Sequence, residues 1–305
     1  MIRELKIGWI KWVDAVWLKS DEIEKTLEKY NIHELDLEAC LEWNQKARID
    51  DYDDYSFLIF HFPKYNTRRK LYELNEFNIF LWKDFLITMR DSTGSHINKI
   101  FNHYDDLKIN TRKKDIKVTT GYILYEITQA MLEKMFKVIA KMTTDIKLLE
   151  KDVFENDNNS TLVKEIMYKK RNIILLKHMF KPQVTVLKQL EEMINKTYGW
   201  EIEEYFEDLE DKLEQIVNEI NILQEYIDSI EDAFKSMVDI KTNFVIKMLT
   251  VFSAFMLPLT LVTSFYGMNV DLPFTENIKF IFFLLFLSSF IMVFIYVFLR
   301  KSGRF

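Results

Sequence analysis

The chain has 305 residues, with 41 Lys and Arg against 47 Asp and Glu, a formal net charge of −6 at pH 7. Six glycines and four prolines against 25 phenylalanines exclude a loop-rich β-sandwich, a collagen-like repeat and a disordered tract, and favour a few long helices. A single cysteine, Cys40, excludes a disulfide scaffold and a cysteine-built zinc site within one chain, and the net acidity argues against nucleic acid as a partner.

The first twenty residues hold no uninterrupted apolar run before a small-residue cleavage site, so no signal peptide is expected. Over residues 1–117 short β-rich and helical runs alternate, predicting an α/β domain. Residues 21–30 and 34–43 have helical spacing, with Ser20 or Asp21 as the first N-cap. Residues 57–62 read as a strand ended by Pro63, and residues 73–82 and 84–89 as two more. From Val118 no strand pattern remains, and residues 118–243 are expected to form a helical region and a stalk. Residues 122–153 carry apolar side chains at helical intervals, residues 156–160 read as a turn, and a helix over 161–180 is interrupted by Pro182. Gly199 closes a further short helix.

Beyond Gly199, ten apolar residues from Phe206 to Met237 recur in alternating steps of three and four, the seam of a supercoiled helix packed on other helices. No glycine or proline lies between Gly199 and Pro258, so this helix is expected to run on unbroken for roughly 60–67 residues, about 100 Å.

Two segments are apolar enough to cross a membrane. Residues 244–266 contain one charge, Lys247, and residues 278–299 contain one, Lys279. Each is long enough for the roughly 30 Å hydrocarbon layer. Lys241, Lys247, Arg300, Lys301 and Arg304 flank one side, while the loop of residues 267–277 carries only Asp271 and Glu276. The positive-inside rule then places both termini, with the basic tail of residues 300–305, in the cytosol and the loop outside the cell membrane. The expected fold class is an α+β membrane protein: an N-terminal cytosolic α/β domain, a long-helix stalk and two C-terminal transmembrane helices.

One chain with two spans cannot enclose a pore, so a conduit needs several copies around an axis. The first span carries Asn243, Thr250, Ser253, Thr260 and Ser264, whereas the second offers only Ser288, Ser289 and Tyr296 and is denser in phenylalanine. Polar groups within a membrane usually face protein or water, which makes the first span the candidate lining. Asn243, Ser253, Thr260 and Ser264 fall near one stripe with Ile246, Leu249 and Leu257 interleaved. The alternative for the hydroxyls is a bond to their own backbone carbonyls.

Directly after the first span stands Tyr266-Gly267-Met268-Asn269. Gly-Met-Asn in that position is the hallmark of the CorA family of magnesium and cobalt transport proteins. The chain resembles this family in the order of its parts over essentially its whole length, with motif-level identity in the last sixty residues. The resemblance implies a homopentamer in membrane lipid that takes up hydrated divalent cations, chiefly Mg2+, with Co2+ and Ni2+ as further candidates. It implies flux driven by the membrane potential, gating by intracellular Mg2+ and no organic cofactor. It assigns the pore lining to Asn243, Ile246, Leu249, Leu257, Thr260 and Ser264, with Ser253 on the same stripe. Gly267, Met268 and Asn269 form the selectivity filter, and Asp271 and Glu276 concentrate cations at the outer mouth. Magnesium sheds its waters reluctantly, and a ring of Asn269 carbonyl oxygens would read that hydration shell. Gly267 is expected to end the helix in a left-handed turn.

The family's regulatory metal sites match less closely. Asp208 and Asp232 stand where the family has acids on the long helix. Ala39 occupies an expected Asp position between Glu38 and Glu42, and Gln129 another acid's position. The outer loop, Asn269-Val270-Asp271-Leu272-Pro273, also departs from the family's methionine-proline-glutamate form. A zinc transporter sharing the Gly-Met-Asn motif is the alternative within transport, and a membrane-anchored coiled-coil scaffold the alternative outside it. An enzyme is not expected: the five histidines show no paired metal spacing, and there is no HExxH or phosphate-binding glycine loop. Asp50, Asp51, Asp53 and Asp54 form an acid cluster that reads either as a solvated loop or as a cation site.

Overall fold

The computed structural model describes residues 1–43, 45–90, 95–110, 118–155, 159–269 and 278–301. Its strands are β1 (Ile2–Ile7), β2 (Ile10–Val16), β3 (Arg48–Asp51), β4 (Ser56–Asn66), β5 (Leu71–Leu81) and β6 (Phe85–Arg90). Helices α1 (Ser20–Leu27) and α2 (Glu34–Glu42) lie between β2 and β3. Then follow α3 (Ser95–Asn110), α4 (Thr120–Glu155), α5 (Asn159–Tyr198), α6 (Trp200–Tyr266) and α7 (Ile278–Lys301). The chain divides into two compact units, residues 1–231 and 232–305.

In the first unit the strands form one sheet in the order β1-β2-β6-β5-β4-β3, antiparallel except where β6 lies beside β2. Side chains alternate across it. Val13, Ala15, Phe57, Ile59, Phe80, Ile87 and Met89 face α1 and α2, packing on Ile23, Leu27, Ala39 and Cys40. The other face meets helices as well: the Trp12 ring lies 5.0 Å from Phe101 of α3, and Phe62 lies 6.4 Å from Phe180 of α5. Burial on both faces is why β4 and β5 read as continuous apolar runs rather than as a strict alternation.

Several sequence expectations need correction. β1, β2 and β3 are strands beyond the three expected. β4 does not stop at Pro63 but continues to Asn66. β3 pairs only with Ser56–Ile59, so beyond that point β5 is the one strand beside β4. The N–H and C=O of His61 bond the Gln183 side chain of α5, away from β5. Pro63, two residues on, turns its missing N–H to that same side, where no ladder bond is lost. α1 is capped from Lys19, whose N–H donates to the Glu22 carboxylate at 2.9 Å. Asn159 and Ser160 already belong to α5.

Pro182 does not interrupt α5, which runs for 40 residues through it. A proline within a helix costs about 3 kcal/mol through a lost bond and a ring clash. Phe180, Leu187 and Leu190 are fully buried on either side. Gln183 bonds both backbone groups of His61 and the Met179 carbonyl, pinning the helix to β4. Packing of this extent outweighs the proline. Of the ten expected seam residues of α6, Phe206, Leu209, Leu213, Ile216, Ile220, Leu223, Ile227 and Ile230 are buried, while Phe234 and Met237 are half-buried.

A charged network lies inside this unit. Asp14 and Arg90 are buried, and Arg90 donates to Asp14 from Nε at 3.1 Å and Nη2 at 2.8 Å. Arg3 also donates to Asp14, and Thr88 Oγ1 donates to it at 3.0 Å. Asn98 of α3 accepts from both arginines, at 2.6 and 3.1 Å. Burial pushes the Asp14 carboxyl up, but bonds and charges from Arg90 and then Arg3 outweigh it and hold the group below its ordinary 3.8. Its contribution to stability is therefore present above about pH 4 and lost as pH falls through the depressed native value. Arg90→Met should destabilise the unit by about 3–5 kcal/mol in chemical denaturation, since it removes the fully buried cation of a buried ion pair and leaves Asp14 only the partly exposed Arg3. An unchanged midpoint would contradict this role. In Asp14→Asn the acid-side loss should shrink.

Candidate functional site

The second unit contains the two apolar stretches. Both meet the length and hydropathy of membrane spans. Their mutual contact is narrow. On α6 the half-buried residues are Val251, Phe255, Pro258, Leu259, Val262 and Tyr266; on α7 they include Leu284, Leu285, Ser288, Ser289, Met292 and Tyr296. The Phe255 and Tyr296 rings lie 6.4 Å apart. Counted along the chain, the three-and-four steps that end at Met237 continue through Lys241, Phe244 and Met248 to Val251, Phe255, Pro258 and Val262.

The remaining circumference of α6 is open. Ile246, Leu249, Ser253, Leu257, Thr260 and Ser264 are all exposed, Leu257 by 69%. At about 100° per residue they form one stripe roughly 80° wide, centred roughly 170° from the face against α7. Asn243 lies roughly 80° round from that stripe on a straight helix. At 3.5 residues per turn it aligns with Leu257 and Ser264. The hydroxyls of Thr250 and Thr260 donate to the Ile246 and Met256 carbonyls, each at 2.8 Å, so the backbone-bonded alternative holds for both. A threonine bonded in this way keeps its oxygen lone pairs as acceptors. On α7 the open face carries Phe282, Phe283, Phe286, Phe290, Phe294 and Phe298.

α6 ends at Tyr266, with Gly267-Met268-Asn269 following as a turn. Gly267 does not adopt the left-handed backbone expected of it; among the described glycines only Gly8 and Gly199 do. Glycine is needed for a different reason. Its N–H donates to the Thr263 carbonyl at 3.0 Å, and a Cβ there would lie 2.9 Å from that same oxygen. Met268 and Asn269 are both exposed. Asp271, Glu276 and Arg304 lie outside the described residues.

The expected regulatory acids are scattered. Asp208 and Asp232 are exposed on α6, paired with Lys212 and Lys235 respectively. Glu38 and Glu42 are exposed on α2, and Glu42 accepts from Gln45 at 3.1 Å. Among the described residues no three His, Cys, Asp or Glu side chains are grouped to hold a metal ion. The Asp50–Asp54 acids are engaged locally where bonds are seen: Asp50 accepts from Arg48 and Asp51 from Ser56, both at 2.6 Å.

A sheet-bearing unit, one very long helix and a second apolar helix after a Gly-Met-Asn turn fit a membrane protein with two C-terminal spans. The profile of the CorA-like Mg2+ transporter family matches residues 8–301, and the chain belongs to that family. It is a divalent-cation transporter of the membrane and not an enzyme. The cobalt/magnesium transport protein CorA of Thermotoga maritima is 25% identical over 261 residues, 85% of this chain and 73% of that one. Its namesake in Methanocaldococcus jannaschii is 24% identical over 297 residues, 96% and 90% of the two chains. The complete structure of the latter transporter superposes with a TM-score of 0.80 at 20% identity, covering 95% of this chain and 91% of that one. The cytoplasmic domain of ZntB from Vibrio parahaemolyticus superposes at 0.57 and 16% identity, covering 76% and 89%. These last two likenesses concern the fold alone. Membership of a transporter family sets the scaffold reading aside.

The close approach at Gly267 gives a direct test. Gly267→Ala should open the last turn of α6 and speed amide hydrogen exchange at residues 267 and 268 by about fivefold, the equivalent of ~1 kcal/mol. Unchanged exchange would show that the turn tolerates a Cβ.

Proposed function

We propose that the chain forms a homopentameric channel through which hydrated divalent cations, chiefly Mg2+, enter the cell down the membrane potential. The observation that carries this reading is the stripe of Ile246, Leu249, Ser253, Leu257, Thr260 and Ser264, opposite the face of α6 that meets α7 and leading to Gly267-Met268-Asn269. A helix whose partner covers one side and whose opposite side bears hydroxyls is suited to surround water, with α7 and its phenylalanines toward lipid.

The chemistry matches the cargo. Waters around Mg2+ point their hydrogens outward, so a wall that passes the hydrated ion should present acceptors. Thr260, its proton committed to Met256, does so, and Asn269 brings an amide oxygen to the mouth. Rings of Ile246, Leu249 and Leu257 would close the path by dewetting, and Asn243 extends it toward the cytosol. Asp271 and Glu276 would attract cations outside. Lys241, Lys247, Arg300 and Lys301 favour cytosolic termini. A divalent ion gains roughly 4–5 kcal/mol per 100 mV on entering a negative interior, so flux needs no ATP. For regulation by intracellular Mg2+ we assign Asp208, Asp232, Glu38 and Glu42 to sites completed by a neighbouring subunit.

Magnesium is favoured over zinc because two relatives that cover 85% and 96% of this chain carry cobalt/magnesium names, whereas the likeness to ZntB concerns a cytoplasmic domain. The test is uptake into proteoliposomes with an inside-negative potential. Magnesium should enter, and Asn269→Ala should slow it at least tenfold. Zinc uptake with little magnesium would move the chain to zinc transport. Absence of flux from folded, oligomeric protein would overturn the channel.

A further inference from the structure

The first unit contains a cavity of about 640 Å3 to which the channel reading gives no task. It lies between the outer halves of β4 and β5 and helices α3, α4 and α5, within the size range of small-molecule sites. Its charge is one-sided. Lys64, Lys134, Lys137, Lys141 and Lys169 line it together with His96, against a single carboxylate, Asp145. Asp145 is already engaged by Lys169 at 2.6 Å. Among the described residues no carboxylate pairs with Lys64, Lys134, Lys137 or Lys141. The last three recur at steps of three and four on α4, so they share one helix face. Burial, then the charges of Lys134, Lys99 and Lys137, hold His96 below its ordinary value, which reports the same positive field.

Two further features point to a ligand. Asn75 lines the cavity and is only 4% exposed, and its Oδ1 has no hydrogen-bond partner. A buried amide oxygen left without a partner is costly, and a bound molecule would relieve it. The cavity is also aromatic. Trp17 lines it while 60% exposed, with its backbone at φ 55 and its N–H donating to the Arg90 carbonyl at 3.2 Å. That backbone region is an outlier for so large a side chain, and here it holds an indole at the surface beside Lys64, whose Nζ lies 5.4 Å from the ring. Tyr65 and Tyr72 stand together nearby, their rings 5.0 Å apart.

Unpaired lysines recognise phosphate, and exposed rings recognise a flat heterocycle. We propose that this cavity binds a nucleoside polyphosphate, its phosphates on the α4 lysines and its base against the aromatic side chains, and that the magnesium-free form binds best. A magnesium ion on the phosphates cancels charge that the lysines would otherwise meet. Such a ligand becomes more abundant when cytosolic magnesium is short, which would let a magnesium transporter sense demand. The binding itself does not rest on the channel reading.

The test is calorimetric titration of the full-length protein in detergent with ATP in EDTA, ATP with excess Mg2+, and inorganic triphosphate. ATP in EDTA should bind saturably, with affinity at least tenfold above both other ligands. The double variant Lys134→Glu, Lys137→Glu should lose at least tenfold. Trp17→Ala, altered at an exposed position, should weaken ATP but not triphosphate, and it carries the test if the double variant melts early. Lys25→Glu with Lys29→Glu, remote from the cavity, should change nothing. No binding of ATP, or equal loss in the remote variant, would overturn the site. Equal affinity for triphosphate would overturn the nucleoside, and equal affinity for the magnesium complex would overturn the preference for the free form.

Discussion

A helix that crosses a bilayer satisfies its backbone internally and must place each polar side chain against protein or water, because hydrocarbon accepts neither. α6 meets this constraint with one partner helix, and that partner covers only the face of Val251, Phe255, Leu259 and Val262. The hydroxyl-bearing stripe is left on the opposite side. α7 shows the contrast: its two serines lie in the contact with α6 and donate to the Leu285 carbonyl at 2.9 Å, and its open face is phenylalanine. That contrast is the physical basis for proposing a multi-subunit conduit with α6 toward water and α7 toward lipid.

The first unit answers a different requirement. Its sheet is covered on both faces, and the buried carboxylate of Asp14 has its bonds satisfied within the fold. Asp14 receives Arg3, Thr88 and Arg90, which ties β1, β2 and β6 to one another and, through Asn98, to α3. The parallel register of β2 on β6 sets Asp14 opposite Thr88, so a slip of one residue would turn the carboxylate into the apolar layer against α1 and α2. The buried seam of α6 then adds a long apolar edge to this unit as far as Ile230.

What was legible in the sequence was local and periodic. The α6 seam, the length of α6, the end of that helix at Tyr266 and both apolar spans follow from spacing and from where glycine and proline do not occur. What was missed depended on distant partners. Pro63 is harmless because β5 lies on one side of β4 only, and Pro182 because Gln183 and its buried neighbours hold α5 to the sheet. β1 and β2 carry Arg3, Lys6, Lys11 and Asp14, which blur the alternation, and the reason Asp14 can be buried is supplied by Arg90, 76 residues on. Glycine at 267 follows from the close approach of the Thr263 carbonyl and not from the left-handed turn expected there. The lysine cavity could not be read at all. Lys134, Lys137 and Lys141 look like an ordinary solvated helix face until β4, β5 and α3 are placed beside them.

Which face of α6 meets water is tested most directly by cysteine accessibility. Cys40 is buried and its thiol is pushed well up by that burial, so the native chain offers no competing reactive thiolate. Single cysteines along residues 246–264 would be exposed to a membrane-impermeant thiol reagent in proteoliposomes while magnesium flux is followed. Reaction and loss of flux should recur at Ile246, Leu249, Ser253, Leu257, Thr260 and Ser264 and be absent at Val251, Phe255, Leu259 and Val262. Protection of the first set, or equal reactivity all round the helix, would contradict a water-filled path along that stripe.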